Sequence, residues 1–122
     1  HIVGVGYNGM PNGCDDSVYP WGRTGDFADQ KYPYVVHAEL NAILNASTSL
    51  KGCRIYVSLF PCNECCKAII QSGIREVVYL SDKYAATDST KASKRMLASA
   101  GVTCRRMETD LTSVPVNFVA EE

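Results

Sequence analysis

The sequence lacks any apolar run that approaches the roughly 20 residues needed to span a bilayer, although 46% of its 122 residues are hydrophobic. It also lacks a charge excess, since 12 basic and 13 acidic residues give a formal net charge of −1. A protein that holds a nucleic-acid backbone normally carries a basic excess, because neutralising phosphates supplies most of its affinity. We therefore expect no membrane and no nucleic-acid partner, a small-molecule substrate, and one compact domain.

The pattern of a secretory protein is missing as well. Residues 1–6 have no cationic region followed by a long apolar one, as a signal peptide would. Six cysteines would suit a small disulfide-rich scaffold, but Cys53 and Cys104 occur in strand-like segments and are predicted to be small buried residues. Cys62 and Cys65 have the spacing of metal ligands. A reducing compartment, the cytoplasm, fits this placement.

Strand-like and helical patterns alternate along the chain. Predicted strands cover residues 2–7, 55–59, 75–80 and 102–106. Three helices are predicted: the first begins near Val36, and the other two cover residues 62–72 and 88–100. A polar loop rich in Gly and Pro fills residues 8–34, and loops of such length are usually functional or disordered. The alternation predicts an α/β fold with parallel neighbouring strands joined by helical crossovers. Without repeats or a linker, residues 1–122 are predicted to form a single domain.

Two short motifs, H-A-E at residues 37–39 and P-C-N-E-C at residues 61–65, carry the chemistry. A structural zinc site closes its tetrahedron with four protein ligands, whereas His37, Cys62 and Cys65 are three and leave a fourth position for water, as a catalytic zinc does. Glu39 is close enough to transfer that water's protons without binding the metal. The H-x-E…P-C-x-x-C pattern is the signature of zinc nucleobase deaminases.

The expected reaction follows from these parts. Zinc lowers the pKa of its water, and Glu39 moves protons to the ring nitrogen and then to the leaving amine. Pro61 is predicted to lie at the start of a helix, with Cys62 and Cys65 on one face of its first turn. Cys66 lies roughly 100° around that helix and is predicted to point into the core.

Other interpretations stay open at this point. A tRNA adenosine deaminase or a free cytidine deaminase would share the zinc core, although the charge balance disfavours tRNA. A zinc-stabilised binding module without catalysis is also possible, but it would have no use for Glu39 beside an open metal position. Cys14 is either a free loop cysteine or part of a second metal or regulatory site.

Beyond the zinc motif, the sequence resembles the deoxycytidylate (dCMP) deaminases of the zinc-dependent cytidine and deoxycytidylate deaminase family. The resemblance spans nearly the whole chain and includes residues 6–13 (GYNGMPNG), 32–43 (YPYVVHAELNAI), 59–65 (LFPCNEC) and 81–84 (SDKY). It implies a three-layer α/β/α cytidine deaminase-like fold with a mixed sheet, a zinc cofactor, and conversion of dCMP to dUMP for thymidylate synthesis. It also implies a homohexamer activated by dCTP and inhibited by dTTP with Mg²⁺.

The resemblance also implies roles for individual residues. His37, Cys62 and Cys65 match the zinc ligands, and Glu39 matches the proton shuttle. Asn8 matches a residue on the substrate's sugar and base, and Tyr84 matches one near its phosphate. The residues expected at the regulatory nucleotide are Asn8, Gly9, Asn12, Gly13 and Asp15. Family members carry a helix and a strand before the segment at residues 2–7, so we expect the chain to lack these two elements.

Overall fold

Three parallel strands form the centre of the structure, a computed structural model that describes residues 1–109. The strands are β1 (Arg54–Leu59), β2 (Glu76–Ser81) and β3 (Thr103–Arg106), arranged in the order β1-β2-β3. The register places Ile55 beside Val77, and Val77 beside Cys104. Since side chains alternate along a strand, these three residues share one face of the sheet.

Helices precede and connect the strands. They are α1 (Ala38–Leu44), α2 (Asn63–Gln71) and α3 (Asp88–Ser99), with a short 3₁₀ helix at Phe27–Asp29. The Thr87 side chain caps the start of α3 by accepting a hydrogen bond from the Thr90 amide. Gly73 and Gly101 follow α2 and α3 with positive φ angles of 84° and 73°, the left-handed conformation that ends a helix.

The core lies between the helices and one face of the sheet. Ile55 and Val77 of the sheet pack with Ile69 of α2 and Leu97 of α3, and Ile43 of α1 packs against the same cluster. The buried members of this cluster are Ile55, Phe60, Cys66, Ile69, Ile74, Val77, Leu97 and Val102. The helices on this face follow from the right-handed connection between parallel strands.

The predicted α/β class is therefore confirmed. Helices α1, α2 and α3 all pack on the face of the sheet that carries Ile55 and Val77, and the sheet formed by residues 1–109 is entirely parallel. The predicted strands and helices from residue 55 onward begin and end within two residues of the observed elements. The described part of the chain contains no helix with the length and apolarity that a membrane crossing requires.

The predicted strand at residues 2–7 is wrong. This segment joins no ladder, and the nearest pairing is an isolated antiparallel bridge between Gly9 and Val36. A cleft of about 630 Å³ is lined by residues 1–6, α1 and β1, and residues 2–7 form no backbone hydrogen bonds with β1. The segment packs closely on α1 instead. A Cβ at Gly6 would overlap the Ala38 carbonyl oxygen and the Ala42 amide nitrogen, so only a glycine fits there.

The predicted burial of Cys104 is also wrong. Cys104 lies in β3 as expected but is exposed, because β3 pairs only with β2 among the described residues and forms an edge of the sheet. Cys53 is half-buried just before β1, and Cys14 is half-buried in the long loop. All six cysteines are free thiols.

Candidate active site

Three predicted ligands meet where α1 and α2 begin. His37 Nδ1 lies 3.4 Å from Cys62 Sγ and 3.5 Å from Cys65 Sγ, and all three ligand atoms are within 4.8 Å of one another. Zinc–sulfur and zinc–nitrogen bonds of about 2.3 and 2.0 Å at a tetrahedral angle separate their ligand atoms by about 3.6 Å. The spacing therefore fits a zinc ion held by one imidazole and two thiolates.

Helix starts place all three side chains. Cys62 is the N-cap of α2 with an extended backbone, and its Sγ accepts a hydrogen bond from the Cys65 amide. Cys65 follows in the first turn, so both sulfur atoms lie at the same end of the helix. His37 is the N-cap of α1. Pro61 lies at the start of α2 as predicted, directly before the N-cap and two residues before the first helical residue, Asn63.

Hydrogen bonds with residues 7 and 8, about 30 positions earlier in the sequence, hold the start of α1 in place. His37 makes no capping hydrogen bond through its side chain, and the Ala38 amide donates to Asn8 Oδ1 at 2.8 Å instead. The Asn41 side chain donates to the Tyr7 carbonyl oxygen at 2.8 Å. These contacts fix the loop around Asn8 against the helix that carries Glu39. Sequence reasoning missed this cap, and its signal was the lack of Ser, Thr, Asp or Asn directly before α1.

The charges of the ligands are coupled through their contacts. The hydrogen bond from the Cys65 thiol to Cys62 Sγ, together with the hydrogen bond from His37, lowers the pKa of Cys62 to about 3. The same hydrogen bond to Cys62, with burial, raises the pKa of the Cys65 thiol far above its usual value. The Cys62 contact raises the pKa of His37. These shifts favour one thiolate and one thiol in the pair, and zinc binding would require loss of the remaining proton.

Cys66 lies in the core, as the sequence predicted, and Glu39 lies at the start of α1. Glu39 is half-buried in the first turn of α1, two residues after His37, and its carboxylate adds to the rise in the pKa of Cys65 that Cys62 and burial cause. Cys66 is completely buried, and its thiol points to the Pro61 carbonyl oxygen at 3.7 Å, away from the cluster. Burial raises the pKa of Cys66 to about 11, so it stays a thiol.

Tyr84 lies in the turn between β2 and α3 and is 56% exposed. Its carbonyl oxygen accepts a hydrogen bond from Thr87 Oγ1 at 2.7 Å, and Lys83 Nζ lies 5.2 Å from its ring centre. Cys62 follows β1 as Tyr84 follows β2, so both lie at the carboxyl edge of the parallel sheet, where α/β proteins bind ligands.

The predicted regulatory residues lie in an exposed loop. The Cys14 amide donates to the Pro11 carbonyl oxygen at 2.9 Å, closing a turn in which Gly13 has a positive φ of 87°. Asp15 Oδ1 accepts hydrogen bonds from the Ser17 amide and hydroxyl, which lower the pKa of the Asp15 carboxyl. Asn12 is exposed, and Gly9 forms the bridge that joins this loop to the residue before His37.

Comparisons with known proteins agree with this geometry. A family model described as the cytidine and deoxycytidylate deaminase zinc-binding region matches residues 1–81. The chain is 56% identical over 119 residues to deoxycytidylate deaminase of Homo sapiens, covering 96% of this chain and 67% of that protein. It is 49% identical over 124 residues to a probable deoxycytidylate deaminase of Drosophila melanogaster, covering 96% of this chain and 61% of that protein.

A solved structure supports the same assignment. The crystal structure of dCMP deaminase from the cyanophage S-TIM5 in complex with dCMP and dUMP aligns with a TM-score of 0.62 and 28% identity, covering 84% of this chain and 70% of that one. The family model covers the segment with all three predicted zinc ligands and Glu39. The chain belongs to the cytidine and deoxycytidylate deaminase family.

Proposed function

We propose that the chain catalyses the hydrolytic deamination of dCMP to dUMP and ammonia. The observation that carries this proposal is the cluster of His37, Cys62 and Cys65 at zinc-compatible distances, with Glu39 two residues after His37 in the first turn of α1. A structural zinc site is normally closed by a fourth protein ligand and has no use for a proton-transferring carboxylate beside it. The choice of dCMP is supported by the deoxycytidylate deaminases at 56% and 49% identity and by the solved neighbour that binds dCMP and dUMP.

The roles of the side chains follow from their positions. His37 Nδ1, Cys62 and Cys65 would hold a zinc ion, which supplies the Lewis acidity that makes a water molecule nucleophilic near neutral pH. Glu39 takes a proton from the attacking water and gives it to the ring nitrogen of the cytosine. The water oxygen bonds to the carbon that carries the amine. Glu39 then takes the remaining proton from that oxygen and gives it to the amine. The carbon–nitrogen bond breaks as the carbon–oxygen double bond forms, and ammonia leaves.

Asn8 is proposed to hold the start of α1 in place with one end of its side chain amide and to contact the substrate with the other. Its Oδ1 is used by the Ala38 amide, so its Nδ2 group is the part that we propose donates to acceptors on the sugar and base. Tyr84 is proposed to lie near the substrate phosphate. Its neighbour Lys83 supports this role, because an ammonium group beside the ring places positive charge where a phosphate would need it.

We also propose that residues 8–16 bind a regulatory nucleotide, with dCTP as activator and dTTP as inhibitor of a cytoplasmic homohexamer. Gly9 and Gly13 can present amide groups to phosphates, and Asp15 can hold the accompanying Mg²⁺ directly or through water. The hydrogen bonds from this loop to Val36 and Ala38 give a physical connection to the residues on either side of His37. Such a connection is what a coupling between two sites requires.

An ammonia-release assay with dCMP, CMP, deoxycytidine and dCTP, each with and without dCTP as effector, tests the function. We expect turnover of dCMP, little of deoxycytidine, one zinc per chain by metal analysis, and loss of turnover after chelation. Equal turnover of deoxycytidine and dCMP would remove phosphate recognition from the proposal. Zinc-loaded protein that releases ammonia from none of the four would refute the deaminase function.

A further inference from the structure

Ser93 is a polar side chain inside an apolar core. It lies on α3 and is 0% exposed, as is Leu97 one turn further along the helix. A buried hydroxyl is stable only when it is hydrogen-bonded, and a serine within a helix usually bonds to the carbonyl one turn back. Ser93 Oγ instead donates to the Pro61 carbonyl oxygen at 2.9 Å, 32 residues away in sequence.

The Pro61 carbonyl has no partner in the helical hydrogen bonds of α2. The first carbonyl that the helix uses is that of Cys62, which accepts from the Cys66 amide at 2.9 Å. Pro61 is completely buried, so bulk water does not satisfy its carbonyl oxygen. The donors to this oxygen are the Ser93 hydroxyl at 2.9 Å and the Cys66 thiol, a weaker donor, at 3.7 Å.

A second serine of α3 holds the other side of Cys62. Ser89 lies one turn before Ser93, and its hydroxyl donates to Asn63 Oδ1 at 2.9 Å while accepting from the Asn63 amide at 3.2 Å. The residues directly before and after Cys62 are therefore both fixed to α3. Neither contact touches the metal ligands themselves.

Cys62 needs this support more than Cys65 does. Cys65 lies within α2, whose hydrogen bonds fix its backbone, whereas Cys62 is the N-cap with φ −68° and ψ 166°. A rotation of the peptide between Pro61 and Cys62 would move Cys62 Sγ away from His37 Nδ1, now at 3.4 Å. We propose that Ser93 is a positioning residue for the zinc ligand Cys62, acting through the Pro61 carbonyl. This inference rests on the zinc site of the proposed function.

The test compares Ser93→Ala with Thr90→Val on the same helix. Thr90 is also buried, at 5% exposure, and its hydroxyl contacts Thr87 rather than residues 61–63. Zinc affinity is measured by competition with a chromophoric chelator, and ligand geometry by the absorption spectrum of the Co²⁺-substituted protein. Partners that orient metal ligands typically change affinity about 10–100-fold. We expect a loss near the lower end, about tenfold, and altered thiolate–cobalt bands in Ser93→Ala, with Thr90→Val unchanged in both.

Wild-type affinity and a wild-type cobalt spectrum in Ser93→Ala would overturn the proposal, and so would equal losses in Thr90→Val. If Ser93→Ala does not fold, Ser93→Cys is tested by the same two measurements. This variant keeps a side chain of similar shape but replaces the hydroxyl donor with a thiol, a weaker donor. Reduced affinity in that variant supports the proposal, and unchanged affinity contradicts it. A wild-type chain that binds no zinc would instead refute the metal site of the proposed function.

Discussion

Residues 54–106 and residues 1–36 are built in different ways, although both reach the candidate site. The first region consists of strands and helices around completely buried side chains such as Ile69 and Leu97. The second contains one short 3₁₀ helix at Phe27–Asp29 among turns and extended segments. Large apolar side chains there are exposed, with Tyr7 at 80%.

The difference separates two kinds of task. Cys62 and Cys65 come from the packed region, where helix geometry fixes distances between ligand atoms. His37 and Glu39 lie between the two regions, at the start of α1, and a few hydrogen bonds from residues 7–9 hold that start in place. Loops supported by a rigid scaffold are where recognition usually resides. Changes in the packed region and at α1 should therefore affect the chemistry, and changes in the loop should affect binding and regulation.

The largest expected effect is on the chemistry. Glu39→Gln keeps the shape of the side chain but cannot transfer protons, so we expect kcat to fall by at least about 10²–10⁴-fold. Zinc content, measured by atomic absorption, should stay at one per chain. Glu64→Gln is the control, because Glu64 is exposed and pairs with Lys67 at 2.8 Å. Near-normal turnover in Glu39→Gln would show that another group moves the protons.

The two halves of the His37, Cys62 and Cys65 cluster were predictable from sequence because the geometry within each half is local. Cys62 and Cys65 are three residues apart, and Glu39 is two residues from His37, so a helix start brings each pair together. The contacts from Asn8 and Ser93 were not predictable, since they join residues 30 and 32 positions apart. Such contacts depend on how elements pack rather than on a pattern within one of them.

The errors have a related cause. Alternating apolar residues at positions 2–7 have the period of a strand, but a strand also needs a partner, and this segment lines a cleft beside β1 without pairing with it. Cys104 was predicted to be buried because it ends a strand-like segment, yet its exposure depends on β3 being an edge strand among residues 1–109. Sheet order is a property of the whole fold, so a single segment does not reveal it.

Asn8 offers a way to separate positioning from binding. Asn8→Asp keeps an oxygen for the Ala38 amide, so the unfolding free energy should stay close to wild type. It removes the Nδ2 donor, and the lost interaction should lower kcat/KM for dCMP by about 5–150-fold, equivalent to about 1–3 kcal/mol. Asn8→Ala should lose both, including about 1 kcal/mol of stability. Wild-type kcat/KM in Asn8→Asp would remove the proposed contact with substrate.

Gly6 tests whether the loop region is loosely attached. A Cβ there would overlap backbone atoms of Ala38 and Ala42, so Gly6→Ala should lower the unfolding free energy by about 1–3 kcal/mol. Gly22→Ala is the control, because a Cβ at Gly22 meets nothing within 4 Å. Chemical denaturation of both variants gives the comparison. Equal stability of the two would mean that residues 2–7 do not pack closely on α1.

The smallest expected effect concerns regulation. Gly13 has a φ of 87° with open space around it, so Gly13→Val adds no clash but forces a β-branched residue into a conformation that costs about 1–2 kcal/mol. If the loop relaxes to relieve this strain, the amides proposed to bind the nucleotide move. The half-saturating dCMP concentration should then respond about fivefold less to dCTP and dTTP, a change of about 1 kcal/mol. Turnover without effector should be unchanged.

Gly52→Val is the matched control, since Gly52 has a φ of 78° and equally open space but lies before β1. An equal loss of response in both variants would show that the effect comes from general destabilisation, and a full response in Gly13→Val would remove this loop from the regulatory site.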